Sequence, residues 1–363
     1  MALADTRFAT RRRALAAKLA AQRIDSILVT SPIHVRYLSG FTGSNGALIV
    51  NKDLSAQICT DGRYTTQIAE EVPDIEALIE RASATALLAQ VEGPRRIAIE
   101  AAQTTLDQLD SLREATQEDV ELIPVSGVVE SIRLTKDSFE LDRLRDVAAL
   151  ASQAFEDLLA AGELAEGRSE RQVAADLEYR MRMLGAERPS FDTIVASGPN
   201  SAKPHHSAGD RILQRGDLVT IDFGAHARGF NSDMTRTLVM GEAGEFEAEI
   251  YDIVLRSQLA GVEAAYSGAN LFDVDAACRK VIEDAGYGEY FVHSTGHGIG
   301  LEVHEAPSAS KTSQGVLETG STLTIEPGIY VPGKGGVRIE DTLIITSGAP
   351  EIITKVSKDL IVV

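Results

Sequence analysis

The sequence predicts an α/β unit followed by a larger α+β unit, and three patterns carry that prediction. Over the first 125 residues, short β-rich runs alternate with helical stretches, the mark of a layered domain with a partly parallel sheet. Beyond about residue 135, long amphipathic helices separate groups of strands, as in an α+β domain with a curved antiparallel sheet. A length of 363 residues is enough for two domains. The junction is placed where the pattern changes, giving units over 1–128 and 129–363.

In the first unit the β-rich runs are Ser26–Thr30, Ala47–Val50, Arg96–Ile99 and Val120–Ile123, and helical patterns fall at 8–23, 63–71, 83–91 and 105–115. Met1 to Ala21 carries Arg7, Arg11, Arg12 and Arg13 before an alanine-rich run. Lys18, Gln22 and Arg23 interrupt any apolar core there, so the stretch reads as an amphipathic first helix and not as a targeting peptide. The glycine-rich loop Gly40–Gly46 lacks the lysine and the spacing of a phosphate cradle and reads as a turn. In the second unit Ser138, with Glu140 and Asp142 in the first turn, starts a helix running to about Ala161. Ser169 and Gln172 have capping-box spacing and start another, which ends before Gly185. Two more helices are read at 244–266 and 271–285.

Composition narrows the function. A net charge of −19 argues against nucleic acid and favours substrates bearing a free ammonium group. Two cysteines far apart, Cys59 and Cys278, argue against a disulfide framework and fit a reducing, cytoplasmic setting. There is no run of 18 apolar residues, so no membrane span is expected.

The chemistry gathers on two strand pairs. Thr220 to Phe223 alternates polar and apolar as a half-buried strand does, Gly229 supplies a turn, and the chain returns through Ser232–Thr235. Folding about the midpoint between Ala227 and Arg228 sets Asp222 opposite Asp233, with Cβ atoms about 5 Å apart. Thr322–Glu326 and Val337–Asp341 fold about Gly333 and set Glu326 opposite Glu340. Facing carboxylates repel unless they share a proton or a cation. Between the pairs, Gly296-His297-Gly298 offers an imidazole. Asp222, Asp233, His297, Glu326 and Glu340 form a set suited to two adjacent divalent ions, four carboxylates balancing four positive charges.

Taken singly, each of these residues has an ordinary structural explanation. Together, acids embedded among apolar strand neighbours are costly to bury without cations. Competing patterns fail: His304-Glu305 is followed by Pro307 and Ser308, not the second histidine of a zinc-peptidase helix. Leu301 stands where a dinucleotide fingerprint needs glycine, and no GxSxG elbow occurs.

Five blocks, Ile221–Gly224 with Ser232–Thr237, Pro204–His206, His293–Glu305, Ile325–Tyr330 and Gly335–Asp341, occur in an order that resembles the M24 metallopeptidases. This is the pita-bread family of methionine aminopeptidase, aminopeptidase P and prolidase. Tyr37–Gly43 and Thr60–Tyr64 resemble the creatinase-type N-terminal domain, which methionine aminopeptidases usually lack. The fold implied is thus an α/β creatinase-like N-terminal domain plus an α+β pita-bread catalytic domain, and the branch implied cleaves Xaa-Pro bonds.

By that resemblance Asp222 and Asp233 bind one metal, and Asp233, His297, Glu326 and Glu340 supply the remaining contacts, with Asp233 and Glu340 bridging. Glu326 is the implied general base. His293 and His304 match histidines that bind the scissile carbonyl, and His205 matches one near the leaving side. His206 has no such match and is expected to be exposed. Arg338 is placed to hold carboxylates or gate product, with Arg236 a weaker candidate of that kind. Mn²⁺ is expected for an oxygen-rich, one-histidine site, with Co²⁺ or Zn²⁺ as substitutes. The substrate implied is a proline-containing peptide and the assembly a homodimer. The short segment after His304, with no arginine to wall off the cleft, favours Xaa-Pro aminopeptidase activity, with Xaa-Pro dipeptidase (prolidase) activity as the alternative. The intact ligand set argues against both a non-catalytic peptide-binding module and a metal-free amidinohydrolase like creatinase.

Overall fold

A computed structural model describes residues 6–363, and the chain divides into two compact units, one ending at Arg133 and the other spanning Leu134–Val363. Residues 1–5 of the arginine-bearing N-terminal stretch lie outside the described residues. No described helix is long and apolar enough to cross a membrane.

The first unit comprises helices α1 (Thr6–Ala21), α2 (Pro32–Ser39), α3 (Thr65–Glu71), α4 (Ser83–Leu88), α5 (Leu106–Ala115) and α6 (Glu130–Arg133). Its strands are β1 (Ser26–Val29), β2 (Gly46–Asn51), β3 (Ala56–Thr60), β4 (Glu76–Ile79), β5 (Arg95–Glu100) and β6 (Val120–Val125). The sheet order is β4-β3-β2-β1-β5-β6, with β1, β5 and β6 mutually parallel and β1–β2–β3 antiparallel. This is the partly parallel layer that the alternating pattern predicts. Leu28, Ile49, Ile97 and Ile99 bury one face against α4 and α5. Helix α6 belongs to this unit because Arg133 Nη1 meets His34 Nε2 at 2.8 Å and Tyr37 donates to Ile132 O.

The second unit opens on α7 (Ser138–Ala160) and α8 (Glu170–Met183). Both start in full capping boxes, Asp137 with Glu140 and Ser169 with Gln172. The α7 cap is therefore Asp137 and not Ser138, since Asp137 has the extended backbone that a cap requires. The strands are β7 (Arg188–Pro189), β8 (Ile194–Ser197), β9 (Leu218–Phe223), β10 (Ala225–Ala227), β11 (Phe230–Asn231) and β12 (Met234–Val239). After helices α9 (Glu245–Ala264) and α10 (Leu271–Asp284) come β13 (Gly296–Gly298), β14 (Glu305–Ala309), β15 (Thr322–Ile325), β16 (Gly328–Val331), β17 (Gly335–Arg338), β18 (Asp341–Ile344), β19 (Glu351–Ile352) and β20 (Ile361–Val362).

Two features of these strands position the site. The central ladder runs β20-β12-β9-β8, so β9 has a neighbour on each side and apolar packing on both faces. Val219, Ile221 and Phe223 join one core cluster and Leu218 another. Strand β9 is therefore buried throughout, with only Asp222 half-exposed, and not half-buried as its alternation suggested. Phe223 stacks on Phe155 of α7 at 5.1 Å between centroids. The second feature is a hairpin shared between two ladders: β15 pairs with β18 and β16 with β17, antiparallel in both cases.

Candidate metal centre

The two acid pairs arise differently. In the second hairpin Ile325 pairs with Asp341 and Gly328 with Arg338, one continuous register that sets Glu326 opposite Glu340 as expected from the turn at Gly333. In the first, Asp222 pairs with Thr235 and not with Asp233. The pivot lies one residue later than the sequence suggested, because Arg228 and Gly229 form a two-residue turn with φ of 53° and 86°. Positive φ at both central positions is the signature of the hairpin turn that matches strand twist. Asp233 sits just outside the ladder, before β12 begins.

His297 lies in the middle of β13. Its backbone N–H donates to Thr324 Oγ1 at 3.0 Å, and its Nδ1 donates to Gly298 O at 3.0 Å. That bond assigns the tautomer and leaves the Nε2 lone pair turned toward two carboxylates, Asp233 Oδ2 at 3.6 Å and Glu326 Oε1 at 3.5 Å. These gaps are too long for hydrogen bonds, but they suit donors that share one ion at about 2.1 Å each. Asp233, His297 and Glu340 each offer a ligand atom within 4.8 Å of the others. Glu340, almost wholly buried, accepts from Thr235 Oγ1 at 2.8 Å. Asp222 accepts from Arg338 Nη2 at 2.7 Å through Oδ2, while its Oδ1 is buried without any hydrogen-bond partner.

The electrostatics say what is needed there. Burial, reinforced by Glu340, Asp222 and Glu326, lifts Asp233 well above the carboxylate range. Burial and then the Glu326 and Asp222 charges do the same to Glu340. Burial raises Glu326 to about 8, against the pull of Arg338. The same burial lowers His297 to about 4, keeping its imidazole neutral and its lone pair available. An orphaned Asp222 oxygen, a neutral imidazole and three destabilised carboxylates together fit hard divalent cations. A cation would satisfy all of these groups at once.

The remaining candidates line one cleft of about 720 Å³ with the four acids and the His297 imidazole. His304 is exposed over it, its ring 4.3 Å from that of His297 and nearly perpendicular. His205 is exposed on another segment that lines the cleft. His293 is half-buried, and burial lowers its pKa to about 4. Its Nδ1 donates to Ser294 O and its Nε2 accepts from Tyr330 Oη, both at 2.8 Å, so both nitrogens are engaged. Arg338 is buried and bonds Asp222, Tyr330 Oη, Thr235 Oγ1 and Pro204 O, a clamp on the acids.

Arg236 is not such a clamp. It turns away from the cleft to Asp341 and to the carbonyls of Thr235, Glu340, Val356 and Ser357. His206, expected to be exposed, is half-buried, because its Nε2 donates to Glu170 Oε2 at 2.7 Å. Tyr330, Thr235 and Glu170 were not singled out by sequence reasoning. Tyr330 stood inside the Ile325–Tyr330 block without a role, and the partners of Glu170 are too scattered in sequence to signal it.

The sequence model of metallopeptidase family M24 matches residues 142–347, and that of the creatinase/prolidase N-terminal domain matches residues 11–135. The chain belongs to metallopeptidase family M24. It is 38% identical to the Xaa-Pro dipeptidase of Pyrococcus furiosus over 93% of this chain and 95% of that one. Among solved structures, a Xaa-Pro dipeptidase from Bacillus anthracis superposes with a TM-score of 0.94 at 42% identity, covering 98% of this chain and all of the other. The X-Pro aminopeptidase from Thermotoga maritima gives 0.87 at 33% identity over 97% and 99% of the two chains. As an M24 metallopeptidase the chain has the architecture its motifs implied, a creatinase-type N-terminal domain followed by the catalytic domain, and it is a hydrolase using divalent metal.

Proposed function

We propose that this M24 metallopeptidase hydrolyses the bond before proline at the N-terminus of short peptides, holding two divalent ions on Asp222, Asp233, His297, Glu326 and Glu340. The observation that carries it is the neutral His297 Nε2 facing Asp233 and Glu326 at 3.5–3.6 Å beside an orphaned Asp222 oxygen. The ions would supply a water of lowered pKa and charge that polarises the scissile carbonyl. The chain's own groups do the rest. Glu326, ionised once the ions are bound, takes a proton from water and passes it to the proline nitrogen, a tertiary amide with no N–H of its own. His304 hangs over the cleft and donates a hydrogen bond to the oxyanion. His293 has no spare N–H and serves through Tyr330, which with Arg338 fixes Asp222. His205 meets the leaving side.

Two of the named relatives are Xaa-Pro dipeptidases, which favours dipeptides as substrates, and the third is an X-Pro aminopeptidase. The aminopeptidase reading is favoured by the cleft, whose 720 Å³ is ample for a longer peptide. Manganese suits an oxygen-rich donor set with a single imidazole. A cytoplasmic location is supported by two buried free thiols, and a homodimer by family resemblance. The test compares kcat/KM for Ala-Pro, Ala-Pro-Ala and a longer Xaa-Pro peptide on Mn²⁺-loaded enzyme. Turnover confined to Ala-Pro makes the enzyme a dipeptidase. Failure on all three with two metals bound overturns the proposal.

A further inference from the structure

Glu170, at the start of α8, is fully buried, yet no candidate ligand touches it. Its Oε1 accepts from Ser197 N at 2.9 Å, Ser197 Oγ at 2.7 Å and Asn200 Nδ2 at 3.0 Å. Its Oε2 accepts from His206 Nε2 at 2.7 Å and Gly209 N at 3.2 Å. Burial alone would raise this carboxyl, but the bonds from Asn200, His206 and Ser197 outweigh it and hold the group below its ordinary range. Such a collection of donors is far more than a helix start needs. One side of the carboxylate holds the end of β8, the strand whose Ile194 pairs with Asp222. The other side holds the segment that carries His205.

That segment is pinned at both flanks. Pro204 O accepts from Arg338 Nη1 at 3.3 Å, and Arg338 itself holds Asp222. His206 is held by Glu170. His205, between the two, presents its exposed imidazole to the cleft. We propose that Glu170 is a positioning residue: acting through His206, its carboxylate fixes His205 relative to the strand that pairs with Asp222. This rests on the reading of His205 as a group at the leaving side of an Xaa-Pro substrate.

The strut needs a carboxylate. A glutamine amide in place of Glu170 must turn its NH₂ either toward Ser197 N–H and Asn200 NH₂ or toward Gly209 N–H, so one set of donors always loses its acceptor. The test is a double-mutant cycle on the metal-loaded full chain with Ala-Pro as probe. Glu170→Gln is expected to lower kcat/KM about 10- to 100-fold with both metals retained, as small misplacements of a reacting group do. In a His205→Ala background the same change is expected to cost less than about twofold, because the group it positions is gone. His206→Ala reads the same cycle if Glu170→Gln does not fold. An equal loss in both backgrounds, or none in the first, overturns the strut alone. A fully active His205→Ala enzyme, or a metal-loaded parent that leaves Ala-Pro, Ala-Pro-Ala and a longer Xaa-Pro peptide all intact, overturns the reading beneath it and the strut with it.

Discussion

Replacing Gly296 by alanine tests whether the spacing between two strands sets the metal geometry. Gly296 opens β13 immediately before His297, and β13 lies against β15, the strand that ends at Ile325, one residue before Glu326. A Cβ at position 296 would stand 1.8 Å from Thr324 O, 2.6 Å from its carbonyl carbon and 2.9 Å from its Oγ1. Real Cβ atoms come no closer than 3.0 Å, so the carbonyl must withdraw by at least 1.2 Å, the difference between 3.0 and 1.8. This is backbone inside a ladder and not a side chain that can swing aside. Thr324 also receives the His297 N–H, and Glu326 N–H reaches back to Thr295 O at 2.8 Å. The wedge therefore opens the 3.5 Å gap between His297 Nε2 and Glu326. Functional constellations tolerate about 0.5 Å of displacement, so 1.2 Å is too much. Overpacking of this kind costs about 1–3 kcal/mol, which lowers the melting temperature but leaves a folded protein. The expected result is a folded variant with less than the full metal complement after dialysis and a kcat/KM on Ala-Pro reduced by about 100-fold or more. Elemental analysis, thermal melting and steady-state kinetics on one preparation decide it. A fully metallated variant with parental turnover would refute the claim that β13–β15 spacing governs the ligands.

His304→Ala is expected to lower kcat by about 10²–10³ with metal content unchanged; loss of metal instead would move His304 among the ligands. Metal loading should expel protons: a carboxyl at about 8, as burial makes Glu326, is about nine-tenths protonated at pH 7. Calorimetry in two buffers of different ionisation enthalpy should therefore show about one proton or more released per chain at pH 7, and apparent metal affinity tightening toward pH 8. The raised pKa of Glu326 also means that metal-stripped protein loses stability as pH climbs from the unfolded value near 4.5 to about 8, because the folded state alone keeps the proton over that window. Proton uptake, or no exchange, would contradict this. Arg236→Met should cost about 3–5 kcal/mol in denaturant unfolding, since it strips Asp341 of a buried partner, while KM for Ala-Pro stays at the parental value. A changed KM would return Arg236 to the site.

The sequence made some of this legible and not the rest, for physical reasons. Capping boxes are local, so the start of α8 at Ser169 could be read directly. The Glu326–Glu340 pairing was legible because its turn is symmetric about Gly333. The register of the first hairpin, which sets Asp222 against Thr235 and not Asp233, was not, because Arg228 adopts positive φ, which nothing in an arginine announces. Strands β3 and β4 and helix α2 escaped notice: β4 lies largely exposed at the sheet edge, β3 mixes polar and apolar residues, and α2 is only eight residues long and begins at a proline. The surroundings of His206 depend on Ser197, Asn200 and Gly209 converging on one carboxylate, a tertiary fact with no periodic trace.

The hairpin that joins β15–β18 to β16–β17 constrains how this gene product can change in length. Its tip, Pro332-Gly333-Lys334, is exposed, and exposed tips ordinarily accept insertions and deletions. Here the arms keep one mirror register on both sides of the Glu326–Glu340 pair. If one residue gained or lost at the tip slid one arm past the other, alternate side chains would exchange faces, carrying Asp341 toward the cleft and Glu340 toward the Arg236 anchor. That buried anchor, which ties Asp341 to Val356 and Ser357, resists such a slip. The tip is thus a surface loop governed by parity: length changes there must either bulge outward without moving the arms or be rejected, whatever residues they contain.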